Sequence, residues 1–117
     1  MVKINYKKQQ RINEAKQLLD FSYRVSAYDP RINTHNTWEH EMAKCKMIYN
    51  LKKEGKEVYA EAVFKNGGRA DLFVPETYQV FEILHSETKA EALRKEDYYP
   101  DSVEIFYLTS EEVLNDE

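Results

Sequence analysis

Two of the most strand-like runs of the chain each carry one acidic residue, and the loop between them determines how the two residues pair. The run GGRADLFV contains Asp71, and the run YQVFEIL contains Glu82. If residues 75–78 form a hairpin loop, Val74 pairs with Gln79 and, counting back, Asp71 lies opposite Glu82. Opposed residues have Cβ atoms roughly 5 Å apart, a distance at which two carboxylates repel each other. Because an ionised carboxylate among apolar residues is costly unless it is paired or binds a cation, this pairing predicts a divalent-metal site.

Length and composition limit the class of protein. A chain of 117 residues predicts one domain with its own apolar core. The single cysteine, Cys45, excludes an intramolecular disulfide, and the sequence opens without an apolar signal segment, so we expect a reducing, cytoplasmic setting. No apolar run approaches the length of a membrane span, so we expect no membrane partner.

Charge is unevenly distributed along the chain, although the formal net charge is −4. Residues 1–36 are predicted to form a basic helix and loop, in which Lys7, Lys8 and Arg11 are candidates for contacts with nucleic-acid phosphates. The alternative is an ordinary solvated helix face. Residues 109–117 are predicted to form an acidic, frayed tail. The net charge argues against a protein that coats nucleic acid.

Two helices are predicted in the first half of the chain. The first runs from about residue 7 to residue 23, where apolar residues recur at helical spacing. The second begins after Thr37, which is predicted to be its N-cap, and ends near Glu54, just before Gly55. The apolar residues of this helix that we expect to face the core are Trp38, Cys45, Ile48 and Tyr49.

The second half of the chain predicts three meandering strands, a helix and a final strand. The strands are EVYAEAVF, RADLFV, YQVFEILH and, after the helix, SVEIFYL. The helix begins at Ser86 or Thr88 and ends near Asp97. On the first strand, Glu61 is a further candidate site residue. A three-residue turn over residues 66–68 places its side chain on the same face of the sheet as Asp71, whereas a two-residue turn places it on the opposite face. The whole order predicts an α/β fold.

This order of elements, with Asp71 near the start of the second strand and Glu82 inside the third, resembles the PD-(D/E)XK nuclease superfamily. The resemblance covers about residues 37–108 and implies a restriction-endonuclease-like core with an extra N-terminal helix. In that superfamily a helix Glu, a strand Asp and the Glu of an E-x-K strip surround one or two Mg²⁺ ions. The resemblance therefore implies that Asp71 and Glu82 are ligands of Mg²⁺ or Mn²⁺. The segments GRAD and FEIL also resemble those around the active sites of archaeal Holliday-junction resolvases and competence-associated CoiA-like proteins.

The second helix supplies the candidates for the third acid. The segment TWEHEMAK contains Glu39 and Glu41. We favour Glu41 as the inward-pointing metal ligand, because it shares a helix face with the predicted apolar stripe. The H-x-x-x-K pattern of CoiA-like proteins falls on His40 and Lys44.

One position departs from the superfamily pattern. The E-x-K strip reads E-I-L here, so Leu84 stands where a lysine is expected. The register that opposes the two acids also places Arg69 opposite Leu84, which makes Arg69 a candidate for a displaced catalytic cation. The alternatives are Lys89 from the following helix, Lys44 from the preceding helix, or a chain that has lost catalysis and kept the fold.

The functional expectation is a Mg²⁺- or Mn²⁺-dependent DNA endonuclease that hydrolyses phosphodiester bonds, with selectivity left to partners or to a homodimer. His85, which follows the third strand, is a candidate phosphate ligand or general base, or a strand-end histidine without either role. One alternative is a catalytically degenerate module of the same fold that binds DNA or a partner protein. Another is an unrelated α/β interaction protein whose acids form salt bridges.

Overall fold

A computed structural model of the protein describes residues 6–23, 27, 29–84 and 95–115. The helices in these ranges are α1 (Tyr6–Lys16), α2 (Trp38–Lys53) and α3 (Ser110–Asn115). The strands are β1 (Tyr59–Val63), β2 (Arg69–Val74), β3 (Gln79–Leu84) and β4 (Glu104–Thr109). Short 3₁₀ turns lie at Phe21–Tyr23, Pro75–Thr77 and Lys95–Tyr98.

The four strands form one mixed sheet in the order β1-β2-β3-β4. The first three strands are antiparallel neighbours, and β4 runs parallel to β3. The predicted α/β class is therefore confirmed. The predicted hairpin register is also confirmed at its turn, where Val74 pairs with Gln79. A 3₁₀ turn over Pro75–Thr77 makes this connection, and Tyr78 completes it with a left-handed φ of 55°.

Apolar side chains cover both faces of the sheet. Leu72 and Val74 pack with Ile48 under α2. Phe73, which lies between them in sequence, packs on the other face in the cluster that includes Ala15 of α1. This alternation is what a central strand buried on both faces requires. The N-terminal helix is thus packed against the sheet as part of the core.

The first helix is shorter than predicted. It ends at Lys16, and the chain then turns to run beside the end of β1. Leu19 forms an isolated antiparallel bridge with Phe64, and the backbone N–H of Asp20 donates to the Val63 carbonyl at 2.7 Å. Residues 18–20 gain strand-type hydrogen bonds in this way, and these bonds replace a further helical turn.

The second helix begins where predicted, and Ile48 is buried as expected, but the prediction was wrong for two members of the apolar stripe. Thr37 caps the helix by accepting a hydrogen bond from the His40 backbone N–H at 3.2 Å. Trp38 and Tyr49, however, are 71% and 65% exposed. The buried face instead includes Lys44, which is fully buried, because the charged residues of this face are paired with one another.

The acidic tail is also more ordered than predicted. Residues 110–115 form α3, whose Val113 packs with Ala43 of α2 and Ile83 of β3. A reciprocal capping box starts this helix: the Glu112 N–H donates to Thr109 Oγ1 at 3.1 Å, and the Thr109 N–H donates to Glu112 Oε1 at 3.2 Å. The prediction of a frayed tail was therefore wrong for these residues.

Most of the helix predicted between residue 86 and residue 97 lies outside the described residues, which resume at the 3₁₀ turn Lys95–Tyr98. Among the helices that are described, none is both long and apolar enough to cross a membrane.

Candidate functional site

A cleft opens where β2 and β3 separate. Their ladder runs from Val74–Gln79 to Leu72–Phe81 and does not include the next pair, Asp71 and Glu82. Beyond that point lies a cleft of about 570 Å³, a size typical of small-molecule sites. The residues that line it are Asn33, His35, Asn36, Thr37, His40, Glu61, Gly67, Gly68, Arg69, Asp71, Glu82, Ile83, Tyr98 and Tyr99.

Asp71 and Glu82 both lie in this cleft, but the ladder does not hold them face to face as expected. Asp71 Oδ2 accepts a hydrogen bond from the backbone N–H of Ile83 at 2.8 Å. Glu82 Oε1 accepts one from the hydroxyl of Tyr99. Because protein donors contact both carboxylates, a bound cation is not the sole means of relieving their repulsion.

His40, in the first turn of α2, links two of the acids. Its Nδ1 lies 2.7 Å from Glu41 Oε2, and its Nε2 lies 3.4 Å from Asp71 Oδ2. The interaction with Asp71 is the largest cause that raises the pKa of His40 to about 9, against the opposing effect of burial, and Glu41 adds to the rise. A raised pKa favours the imidazolium form, whose two ring nitrogens face the carboxylates of Glu41 and Asp71.

Glu41 points inward, as the sequence predicts, but it lies behind the cleft and does not line it. Its Oε1 accepts from the Asn33 N–H at 2.6 Å and from Lys44 Nζ at 2.8 Å. Its Oε2 contacts His40 Nδ1 and accepts from Asn36 Nδ2 at 3.2 Å. Burial raises the pKa of Glu41, but Lys44, Asn33 and His40 outweigh burial and hold this pKa at about 2. Four donors thus occupy both carboxylate oxygens.

Lys44 lies at the centre of this buried cluster. Its ammonium group donates to the Arg31 carbonyl at 2.7 Å, to Glu41 Oε1 at 2.8 Å and to Glu61 Oε1 at 3.2 Å. An ammonium group has three protons to donate, so these three acceptors satisfy it completely. This geometry satisfies a fully buried charge and ties the loop before α2 to the sheet.

Glu61 reaches Lys44 because β1 departs from regular strand geometry. Glu61 has a left-handed φ of 51°, which is uncommon for a residue other than glycine. Ala60 packs under α2, whereas Ala62 packs in the cluster on the other face, although residues two apart in a regular strand share a face. The turn to β2 spans three residues, 65–67, one position earlier than predicted, and Glu61 lines the cleft with Asp71.

The candidate replacements for the missing lysine lie in different places. Arg69 is exposed at the cleft, but the ladder between β2 and β3 does not extend to a pair with Leu84. Leu84 pairs with Thr109 of β4 and lines a separate hollow together with Glu39. Lys44 is buried behind the cleft, and Lys89 and His85 lie outside the described residues. The catalytic role of Arg69, Lys44, Lys89 or His85 as a cation or base stays a prediction.

The basic candidates on α1 lie away from the cleft. Lys7 and Arg11 are exposed, while Lys8 Nζ forms an ion pair with Glu76 Oε1 at 3.2 Å. Glu76 belongs to the turn between β2 and β3, whereas the cleft opens at the other end of that hairpin. Contacts of these residues with phosphates would therefore be remote from Asp71 and Glu82.

Tyr99 and Gly68 are site residues that the sequence analysis missed. The Tyr99 hydroxyl donates towards the Arg69 carbonyl, at 2.8 Å, and towards Glu82 Oε1. Burial, together with the neighbouring charge of Glu82, raises the pKa of Tyr99, so its hydroxyl stays a neutral donor. A Cβ atom at Gly68 would lie 2.3 Å from the Tyr99 ring, so only glycine fits there. The YYPD segment carries a turn signal but nothing that would pair Tyr99 with Glu82.

Only part of the predicted ligand set fits a divalent cation. Asp71 and Glu82 offer carboxylate oxygens, which Mg²⁺ and Mn²⁺ prefer, and Asp71 Oδ1 accepts no hydrogen bond from the described residues. Glu41 does not fit as a direct ligand, because its oxygens are already occupied. In the part of the chain that the structure describes, no group of three His, Cys, Asp or Glu side chains is placed to hold a metal ion.

Comparison of the chain with protein families, with curated proteins and with solved structures gives no match.

Proposed function

We propose that the protein is a divalent-metal-dependent nuclease that hydrolyses phosphodiester bonds in DNA. The observation that carries the proposal is that Asp71 and Glu82 reach one cleft from adjacent strands, with the charged first turns of α2 beside them. These two residues are also the positions to which the resemblance to PD-(D/E)XK nucleases assigns metal ligands. A cytoplasmic location is part of the same proposal.

Charge supports a cation at this place. Three acidic side chains, Glu41, Glu61 and Asp71, are linked to two basic side chains, His40 and Lys44. Acidic side chains thus outnumber basic ones by one in the linked group, and Glu82 and Arg69, which also line the cleft, add one of each. Residual negative charge in a partly buried cleft favours the binding of a divalent cation.

Each side chain has a role that its contacts support. Asp71 and Glu82 would hold the ion, which when bound supplies Lewis acidity at the phosphate. His40 fixes the orientation of Asp71, and Glu41 in turn fixes His40. Arg69, exposed at the edge of the cleft, is a permanent cation that can contact the substrate phosphate. A homodimer would bring two such clefts to the two strands of a substrate.

Calorimetric titration with Mn²⁺ tests the proposal. Asp71→Asn and Glu82→Gln should each abolish binding, because each replaces a carboxylate ligand by an amide. Asp101→Asn and Glu104→Gln are the matched controls, since both acids are exposed and neither lines the cleft. Unchanged Mn²⁺ affinity in both cleft variants would overturn the proposal.

A specific observation favours one second candidate, a binding module that has lost catalysis. His40 and Lys44 already counter much of the acidic charge, and Leu84 occupies the expected lysine position. A wild-type protein that binds Mn²⁺ and DNA but cleaves no duplex, flap, junction or single strand would establish this candidate in place of the nuclease.

A further inference from the structure

Tyr98 presents an aromatic ring at the edge of the cleft. Its side chain is 60% exposed, whereas that of Tyr99, the next residue, is 4% exposed. Both residues line the cleft, as does the exposed Arg69. What distinguishes Tyr98 from the other exposed aromatic residues, such as Trp38 and Tyr49, is that it lines the cleft, where a ligand can reach its ring.

The backbone around Tyr98 is held firmly. The Tyr98 carbonyl accepts a hydrogen bond from the Gly68 N–H at 2.9 Å. The Tyr99 ring packs edge-on against Phe64, with 5.7 Å between the ring centroids, and fills the space above Gly68. The Tyr99 hydroxyl adds a 2.8 Å hydrogen bond to the Arg69 carbonyl. The exposed ring is therefore attached to a fixed part of the fold, which lowers the entropic cost of using it for binding.

The charge of the cleft argues against a duplex that is held through its phosphates. Three acids line the cleft, Glu61, Asp71 and Glu82, against the cations Arg69 and His40. The whole chain carries a net charge of −4. Proteins that hold duplex DNA through its backbone need several cations along the phosphate track. Apart from Arg69 and the proposed metal ion, the cleft offers few groups for phosphates, so contacts with bases would supply the remaining affinity for DNA.

We propose that Tyr98 is a stacking platform for an unpaired nucleobase, so that the cleft takes single-stranded or locally unpaired DNA in preference to continuous duplex. A base stacked inside a duplex has no free face to offer, whereas an unpaired base does. The cleft volume of about 570 Å³ suits a single nucleotide. This proposal rests on the proposed nuclease function and specifies its substrate.

Fluorescence anisotropy with a labelled single strand, and with the blunt-ended duplex formed by that strand and its complement, tests the proposal. The variants are Tyr98→Ala, Tyr98→Phe and, as a matched control, Tyr49→Ala, since Tyr49 is 65% exposed on α2 and does not line the cleft. Titrations are made with Ca²⁺ and again with EDTA, with gels to verify that the DNA stays intact.

We expect the wild type to bind the single strand more tightly than the duplex. Tyr98→Ala should weaken single-strand binding by about tenfold, in line with the loss of one stacked base. Tyr98→Phe, which keeps the ring, and Tyr49→Ala should bind as the wild type does. Equal single-strand affinities for Tyr98→Ala and Tyr49→Ala, equal or tighter binding of duplex, or no DNA binding in either buffer would overturn the proposal.

The Mn²⁺ titration separates this proposal from the nuclease proposal. If Mn²⁺ binding depends on Asp71 and Glu82 but single-strand binding does not depend on Tyr98, the stacking platform alone is overturned. If Tyr98 governs single-strand binding and no Mn²⁺ binds, the nuclease is overturned and the stacking platform is upheld as part of a binding module.

Discussion

The buried cluster around Lys44 and the cleft around Asp71 use the same types of side chain to different ends. In the buried cluster the three protons of Lys44 are all used, and both oxygens of Glu41 are occupied. In the cleft, Asp71 is only partly buried and keeps Oδ1 without a donor from the described residues. The buried cluster, whose hydrogen-bonding groups are all used, stabilises the fold. The cleft keeps a carboxylate oxygen that is available to bind a cation.

This difference depends on neighbours and not on residue type. Glu41 and Asp71 both touch His40, yet only Glu41 also receives an ammonium group and two amides. An acid whose acceptors are all used has little to offer a metal ion, whereas an acid with a spare oxygen can bind one. Burial and saturation together therefore distinguish a structural carboxylate from a candidate ligand.

The largest expected effect belongs to the buried cluster. Lys44→Met keeps the length of the side chain but leaves Glu41 and Glu61 buried without their shared cation. Loss of one partner from a buried ion pair typically costs about 3–5 kcal/mol, so the free energy of unfolding in urea should fall by that amount. Lys53→Met, at an exposed position of the same helix, is the control and should be nearly neutral. A loss below about 1 kcal/mol would mean that the cluster is solvated and not closed.

A smaller effect is expected at the cleft, where Tyr99 positions Glu82. Tyr99→Phe keeps the ring that packs on Phe64 and removes the hydroxyl that contacts Glu82. Loss of a group that orients a metal ligand typically costs 10- to 100-fold in metal affinity, so Mn²⁺ binding should weaken by about tenfold.

Tyr59→Phe is the matched control for Tyr99→Phe, because Tyr59 is a buried tyrosine of the same apolar cluster and does not line the cleft. Equal Mn²⁺ affinity in the two variants would show that Glu82 does not depend on Tyr99 for its orientation. A parallel thermal melt separates loss of orientation from loss of folding.

The two regions also differ in their expected response to pH. The pKa of His40 is raised from 6.5 to about 9, so its contribution to stability is complete below pH 6.5 and is lost as the pH rises through 9. The pKa of Glu41 is lowered from 4.5 to about 2, so its contribution is present above pH 4.5 and is lost as the pH falls through 2. The cleft should therefore weaken in alkali and the buried cluster in acid.

Chemical denaturation at several pH values measures this difference. The gap in unfolding free energy between the wild type and His40→Gln should narrow between pH 6.5 and pH values above 9. His35→Gln, on the exposed loop before α2, provides the control. A gap that stays constant across this range would show that His40 is not held as an imidazolium.

Local signals in the sequence predicted much of the frame of the site. The turn after Val74 set the hairpin register, and Thr37 marked the start of α2, because turn and cap chemistry depend on a few neighbouring residues. The orientation of Glu41 was also predicted. The prediction for Trp38 was wrong because hydrophobicity favours burial, whereas Glu41 and Lys44, which form an ion pair, occupy the buried face of α2.

The parts that were not predicted depend on contacts that are distant in sequence. Glu61 has a left-handed φ, which the sequence does not indicate because the residue is not a glycine. Its side chain binds Lys44, which lies seventeen residues earlier. Tyr99 reaches Glu82 from the segment that follows β3 and precedes β4. No periodicity or turn rule encodes such contacts. The capping box of α3, in contrast, follows the local T-x-x-E signal of residues 109–112, which is sufficient to predict the start of a helix.

Three lysines of α2 donate hydrogen bonds to backbone carbonyls of other segments: Lys44 to Arg31, Lys46 to Val113 and Lys52 to Ala27. These carbonyls lie outside the sheet. The side-chain amines of α2 donate the hydrogen bonds that they accept. A reagent that acylates amines should therefore modify Lys53 quickly and these three lysines slowly. The pattern of acylation along α2 would then report, residue by residue, how firmly the connecting segments are attached to the helix.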